Sequence, residues 1–97
     1  AYYYTISEVQ GKDVSEQKLR VKGQLVEDSV VYDASIPLLE FRLTDGNSYM
    51  KASYRGVLPD NFHHSEEVIV EGTLHSQGEF TVSKLMLQCP SKYEGEE

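Results

Sequence analysis

The chain has 97 residues, with 9 Lys and Arg against 16 Asp and Glu, a net charge of −7 and one cysteine. That length is one domain. The acidic balance disfavours a generic binder of nucleic acid or anionic membrane, which needs clustered cations, and a lone thiol excludes an internal disulfide and cysteine-cluster zinc sites.

Ten Val and seven Tyr against three Ala favour strands over helices. No apolar run approaches the ~20 residues of a membrane span. The chain starts at Ala1 rather than Met, which we read as an N-terminal segment removed by processing or cloning. Residues 1–18 are polar apart from Tyr2-Tyr3-Tyr4 and carry a turn at Gly11-Lys12-Asp13, so they are expected to be an arm or linker. Alternation begins at Leu19: Leu19, Val21, Gly23 and Leu25 share one face and Arg20, Lys22 and Gln24 the other, a half-buried strand. Glu27-Asp28-Ser29 interrupts it and Val30-Val31-Tyr32 resumes it. Leu39, Phe41 and Leu43 form the next inward face, ending at the hairpin signal Asp45-Gly46-Asn47. Met50, Ala52 and Tyr54 alternate after it.

Residues 56–62 lose the strand period and contain Pro59, which suggests a short helical turn or an irregular connection. Val68, Val70, Gly72 and Leu74 alternate again. After a turn at Ser76–Glu79, Phe80 and Val82 point inward, and Leu85 and Leu87 continue in the opposite phase. A β-bulge near Ser83-Lys84 accounts for the shift. Beyond Gln88 the sequence Cys89-Pro90-Ser91-Lys92-Tyr93-Glu94-Gly95-Glu96-Glu97 is polar and acidic and is expected to be a flexible tail. Five to six strands in this length predict a small all-β barrel of OB type, with a sandwich as the alternative. The division expected is an arm at 1–18, a barrel at 19–88 and a tail at 89–97.

No nucleophile-elbow serine and no Gly-rich phosphate loop is present. His63 and His64 are adjacent, so on regular structure they point apart and do not grip one metal; His75 sits at a strand end. Both sites read as solvated polar positions. Arg20, Lys22, Arg42, Lys51, Arg55 and Lys84 are scattered and fit a solvated sheet face. Single-stranded nucleic-acid binding would want them interleaved with exposed aromatics. Reactive groups concentrate in the tail. Pro90 holds Cys89 extended and ends the ladder, which leaves the thiol at a strand end with Tyr93 four residues on. A thiol and a phenol so placed can reach one large planar ligand; the other reading of Cys89 is a small buried hydrophobe.

Leu19-Arg20-Val21-Lys22-Gly23, Phe41-Arg42-Leu43-Thr44-Asp45, Val70-Glu71-Gly72-Thr73-Leu74, Gly78-Glu79-Phe80 and the tail Cys89–Tyr93 resemble the haem chaperones of cytochrome c maturation, the CcmE family. The most specific stretch is Tyr54-Arg55-Gly56-Val57-Leu58-Pro59-Asp60-Asn61-Phe62. The resemblance runs from about Tyr2 to Tyr93. It implies an OB-fold domain on the periplasmic side of the inner membrane, held by an N-terminal anchor absent from this chain. It implies a carrier rather than an enzyme, which binds haem covalently and transiently and delivers it to apocytochrome c with other membrane proteins of the maturation system. In most members a histidine near the barrel end bonds a haem vinyl group and a tyrosine four residues later ligates the iron. Cys89 and Tyr93 occupy those positions here, the pattern of the family's cysteine-type variant. The surface beside the last strand, with Phe62, Leu85 or Leu87, is the candidate haem platform, although all three also fit a core role. The competing readings are an OB-fold module for single-stranded nucleic acid or protein, and a thiol enzyme using Cys89, for which no neighbouring base is evident.

Overall fold

A computed structural model describes residues 2–11 and 16–88. A short helix α1 (Ile6–Gly11) precedes five strands: β1 (Lys18–Asp33), β2 (Leu38–Thr44), β3 (Tyr49–Tyr54), β4 (Glu67–Leu74) and β5 (Glu79–Gln88). They close into a barrel in the order β1-β2-β3-β5-β4. All ladders are antiparallel except β3 with β5, where Ala52 faces Phe80 and Tyr54 faces Val82. This is the expected OB-type barrel, with five strands because Glu27–Ser29 does not end β1. The strand carries on through an irregularity between Val26 and Val31. There Ser29 Oγ donates to the Val26 carbonyl at 2.5 Å and accepts the Arg42 N–H at 2.8 Å. One hydroxyl thus supplies partners that the interrupted ladder lacks.

The inward faces follow the predicted alternation. Val21, Leu39, Phe41, Leu43, Met50, Ala52, Val68, Val70 and Phe80 are all buried in one core. The β2–β3 turn is built as its sequence suggests. Gly46 takes the left-handed φ of 96°, and Asp45 Oδ1 accepts the N–H groups of Asn47 and Ser48, each at 3.0 Å. The expected bulge is at Ser83: Glu71 pairs with Lys84 and Gly72 with Val82, which leaves Ser83 the extra residue. Its hydroxyl donates to the Glu71 carbonyl at 3.0 Å. The bulge presses β5 onto β4 so closely that a Cβ at Gly72 would lie 2.9 Å from the Thr81 carbonyl carbon and 3.0 Å from Val82 Cα.

The N-terminal arm departs from expectation. Residues 2–11 are part of the folded body rather than a linker. Tyr4 adds to the edge of β1, donating to the Arg20 carbonyl at 2.9 Å and accepting the Lys22 N–H at 3.0 Å. In α1, Ile6 is 0% and Val9 1% exposed. Helical spacing brings these two residues, three apart, onto one face, and the barrel covers that face. Thr5 and Glu8 form a capping box: Thr5 Oγ1 accepts the Glu8 N–H at 3.1 Å, and Glu8 Oε1 accepts the Thr5 N–H at 2.9 Å. Asp45 Oδ2 takes the Ser7 N–H at 2.8 Å and ties the helix to the β2–β3 turn. Hydrogen bonding from Ser7, then from the amides of Ser48 and Asn47, holds the Asp45 carboxyl well below the usual carboxylate range. Gly23 lies under the helix: a Cβ there would be 3.2 Å from Ile6 Cδ1 and 3.1 Å from Leu43 Cβ.

Candidate functional site

The most specific sequence stretch, 54–62, closes one end of the barrel. The Tyr54 ring lies against Gly56, where a Cβ would meet it at 2.8 Å. Leu58 packs on the core, and Phe62 N–H donates to the Pro59 carbonyl at 3.2 Å. Asn61 takes a left-handed φ of 67°, which aims Phe62 inward. Phe62 is buried edge-on to Phe41, with centroids 5.1 Å apart. It begins a 3-10 turn (Phe62–His64) that ends where Ser65 Oγ donates to the Phe62 carbonyl at 2.6 Å. The irregular connection expected here is therefore a plug of the barrel, and its distinctive residues do packing work.

This plug delivers the chain to the start of β4, which pairs with the end of β5. Glu67 faces Gln88, and the Glu66 N–H donates to the Gln88 carbonyl at 2.8 Å. The last described residue, Gln88, is thus held on the barrel by Glu66, which follows the exposed His63 and His64 two residues along the chain. Cys89, Tyr93 and the rest of the tail lie outside the described residues. His75 belongs to the other end of β4, roughly 25 Å away at the rise of an extended strand. Its ring makes polar contacts there, with Nε2 2.7 Å from Thr81 Oγ1 and Nδ1 3.3 Å from Glu16 Oε2. Among the described residues no cluster of three or more His, Cys, Asp or Glu is placed to hold a metal ion.

The platform residues suggested by sequence divide. Phe62 belongs to the core, and Leu85 and Leu87 are partly buried against it. The apolar surface beside Gln88 is instead on the outside of the sheet and involves residues that alternation does not mark. Lys22, Ile69 and Met86 lie side by side on β1, β4 and β5. Their register is out of phase with the inward residues Val21, Val68 and Val70, so they share the outer face. Ile69 is only 5% exposed there and Met86 is partly exposed. Tyr3 borders the row, its ring centroid 5.6 Å from both the Lys22 ammonium and the Arg20 guanidinium. The strip spans about 10 Å across three strands and ends about 7 Å along β5 from Gln88, at ordinary sheet spacings. Its margins carry Arg20 and Lys22 together with the glutamates Glu71 and Glu67, which share the outer phase of Ile69.

Among the described residues the cations form no continuous basic face. Arg20 pairs with Glu71, Lys22 with Glu67 at 3.6 Å and Lys51 with Glu79 at 3.9 Å. Arg42 stacks over Tyr49 at 5.7 Å. Acids interleaved in this way weaken the field that a phosphate backbone requires.

Among proteins of known sequence, the family model described as the CcmE domain matches residues 1–96. The cytochrome c-type biogenesis protein CcmE of Halorhodospira halophila is 32% identical over 93 residues, covering 95% of this chain and 62% of that protein. Its counterpart in Xanthobacter autotrophicus is 36% identical over 76 residues, 78% of this chain and 46% of that protein. The chain thus spans about three fifths or less of these relatives' length. Among solved structures, the OB-fold domain of the haem chaperone CcmE from Desulfovibrio vulgaris superposes with a TM-score of 0.63 at 29% identity, over 74% of this chain and 86% of that one. The telomere capping protein Ten1 from Saccharomyces pombe superposes at 0.65 with 20% identity, over 99% and 92% of the two chains, a likeness of fold alone. A sequence match running almost from end to end, carried on the same kind of barrel, makes this chain a member of the CcmE family.

Proposed function

We propose that this domain is a haem chaperone of cytochrome c maturation, a carrier rather than an enzyme, which works on the periplasmic side of the inner membrane and passes haem to apocytochrome c with other maturation proteins. Haem is its cargo. Cys89 is the covalent attachment point and Tyr93 the iron ligand. The observation that carries this reading is the family match over residues 1–96 on an OB-type barrel whose last described residue, Gln88, immediately precedes Cys89, with the partly exposed Met86 two residues back on the outer face. A porphyrin laid there has apolar contact on one face and stays open to solvent on the other, as handing on requires. Lys22 and Arg20 border this face, each paired with a glutamate, Glu67 and Glu71.

The chemistry fits the two tail residues. The Cys89 thiolate adds to one vinyl carbon; an S–C bond forms, the C=C π bond is lost and the other vinyl carbon takes up a proton. No oxidant is consumed. The rate depends on the thiolate fraction and hence on the thiol pKa. A tyrosine oxygen is an established type of haem-iron ligand, and a ferric centre favours its phenolate form at neutral pH. The alternative of a single-stranded nucleic-acid module lacks a basic groove, since three of the candidate cations are paired with glutamates.

The test is mass spectrometry of the protein expressed with the maturation machinery. A haem adduct on the Cys89 peptide is expected, and Cys89→Ala removes it without changing the thermal midpoint. Haem resistant to acid-acetone extraction in Cys89→Ala overturns the attachment site. Identical ferric optical spectra for holo wild type and Tyr93→Phe overturn the iron ligand.

A further inference from the structure

The barrel is closed, yet one stretch of strand edge stays open. β1 pairs with β4 only as far as Gln24 and with β2 from Gln24 onward. From Leu25 to Asp33 it therefore has a ladder on one edge only among the described residues. Past the irregularity at Ser29, Val31–Asp33 return to regular register with β2, opposite Glu40, Leu39 and Leu38. Together with Val30 just before them, they make four residues whose outer backbone groups face no strand among the described residues. An unpaired row of N–H and C=O groups is a template for another strand. Proteins blunt such an edge with Lys or Pro, with other charges or with a bulge; residues 25–33 contain no Lys or Pro, and the irregularity with Glu27 and Asp28 lies before Val31 and leaves the stretch after it regular. The hairpin instead displays Val31 at 61% and Ile36 at 47% exposure.

The charges around this edge define what it accepts. Glu27, Asp28 and Asp33 are exposed and form no ion pair among the described residues. The nearby cations are on the β2–β3 side and are engaged, Arg42 with Tyr49 and Lys51 with Glu79. A second copy of this chain is a poor occupant: antiparallel pairing centred on Val30 and Val31 sets Asp28 opposite Asp33, a like-charge pair. The chain's own tail starts from Gln88, in the row of Glu67 and Gln24 where the open edge begins. Its sequence ends with Glu94, Glu96 and Glu97, so it brings the same sign of charge.

We propose that the open edge of β1 at Val30–Asp33 is a docking site for an extended segment of a partner protein, one with apolar residues flanked by Lys or Arg, which adds a strand to β1. Backbone hydrogen bonds supply the pairing, Val31 the apolar contact, and Glu27, Asp28 and Asp33 the selection for cations. The site lies away from the Tyr3–Met86 strip and does not depend on haem.

The experiment is an NMR titration of the 97-residue chain with the capped peptide Lys-Thr-Val-Thr-Val-Lys and with its counterpart carrying Glu in place of both Lys. The basic peptide should give saturable amide shifts confined to residues 25–36 and slower amide exchange within Val30–Asp33. The acidic peptide should give none. The double variant Glu27→Lys, Asp28→Lys should keep its thermal midpoint, since both side chains are exposed, and bind the basic peptide about tenfold more weakly. Shifts that map to the Tyr3–Met86 strip, equal binding of the two peptides, undiminished binding by the double variant or no saturable shift would each overturn the proposal.

Discussion

Gly72→Ala tests whether the bulge that bends β5 towards its functional end depends on bare backbone. The added methyl would meet the Thr81 carbonyl carbon at 2.9 Å and Val82 Cα at 3.0 Å, with the Thr81 carbonyl oxygen closer still. No rotamer can relieve this contact, because every opposing atom is main chain. β4 and β5 must separate by about 1.5 Å for the methyl to reach ordinary van der Waals distance from the Thr81 carbonyl oxygen, at the point where the ladder already skips Ser83. Overpacking against an unyielding neighbour costs about 3 kcal/mol, and a domain of this size has about 5–15 kcal/mol in all. The thermal midpoint by circular dichroism should fall by about 12–24 °C, at the several degrees per kcal/mol expected for a domain of this length. Gly11→Ala is the matched control, since nothing lies within 4 Å of its would-be Cβ; it should leave the midpoint within a few degrees. Equal midpoints for Gly72→Ala and wild type would refute the close-approach argument.

Three further outcomes follow from the same contacts. Ile6→Ala should cost about 2–4 kcal/mol by chemical denaturation, because Ile6 is fully buried; a true linker residue would cost nothing. Asp45→Asn should flatten the acid limb of the stability curve. The folded Asp45 carboxyl titrates below its ordinary 3.8, so its contribution is whole above that value and is lost as pH falls below it. The variant, having no such group to protonate, should lose less stability than wild type between neutral pH and about pH 3, measured by urea unfolding at each pH. Met86→Glu should sharply reduce haem capture, read as Soret absorbance of protein co-expressed with the maturation machinery, while leaving the thermal midpoint nearly unchanged. Undiminished capture would place the cargo elsewhere than on the outer strip.

The strands were legible because a two-residue period is a local property. Leu39-x-Phe41-x-Leu43 can bury one face only as a strand, and Asp45-Gly46 can follow it only as a turn. The phase change from Val82 to Leu85 likewise revealed the Ser83 bulge, since one extra residue reverses which parity faces inward. The N-terminal helix also had a local signal in the capping box Thr5–Glu8 with Ile6 and Val9 behind it. At six residues such a helix is too short to stand alone, and only the barrel that covers Ile6 makes it form. The plug at 54–62 is recognisable as a motif from sequence, but its purpose is not. Tyr54 against Gly56 and Phe62 against Phe41 are contacts between residues whose proximity depends on the closed barrel.

The sequence by itself determined the strands, the hairpin, the bulge and the family, because each is written in near-neighbour spacing or in a continuous motif; that the strands close into a barrel rather than a sandwich was a tertiary choice. The tertiary structure decided where function has room. Lys22, Ile69 and Met86 come from three strands far apart in the chain, and only the register sets them in one row on the outer face. The same register ends the β1–β4 ladder at Gln24 and so leaves the β1 edge open. A pairing partner is a non-local choice, made by the chain's closure into a barrel, and no pattern within one strand can state it.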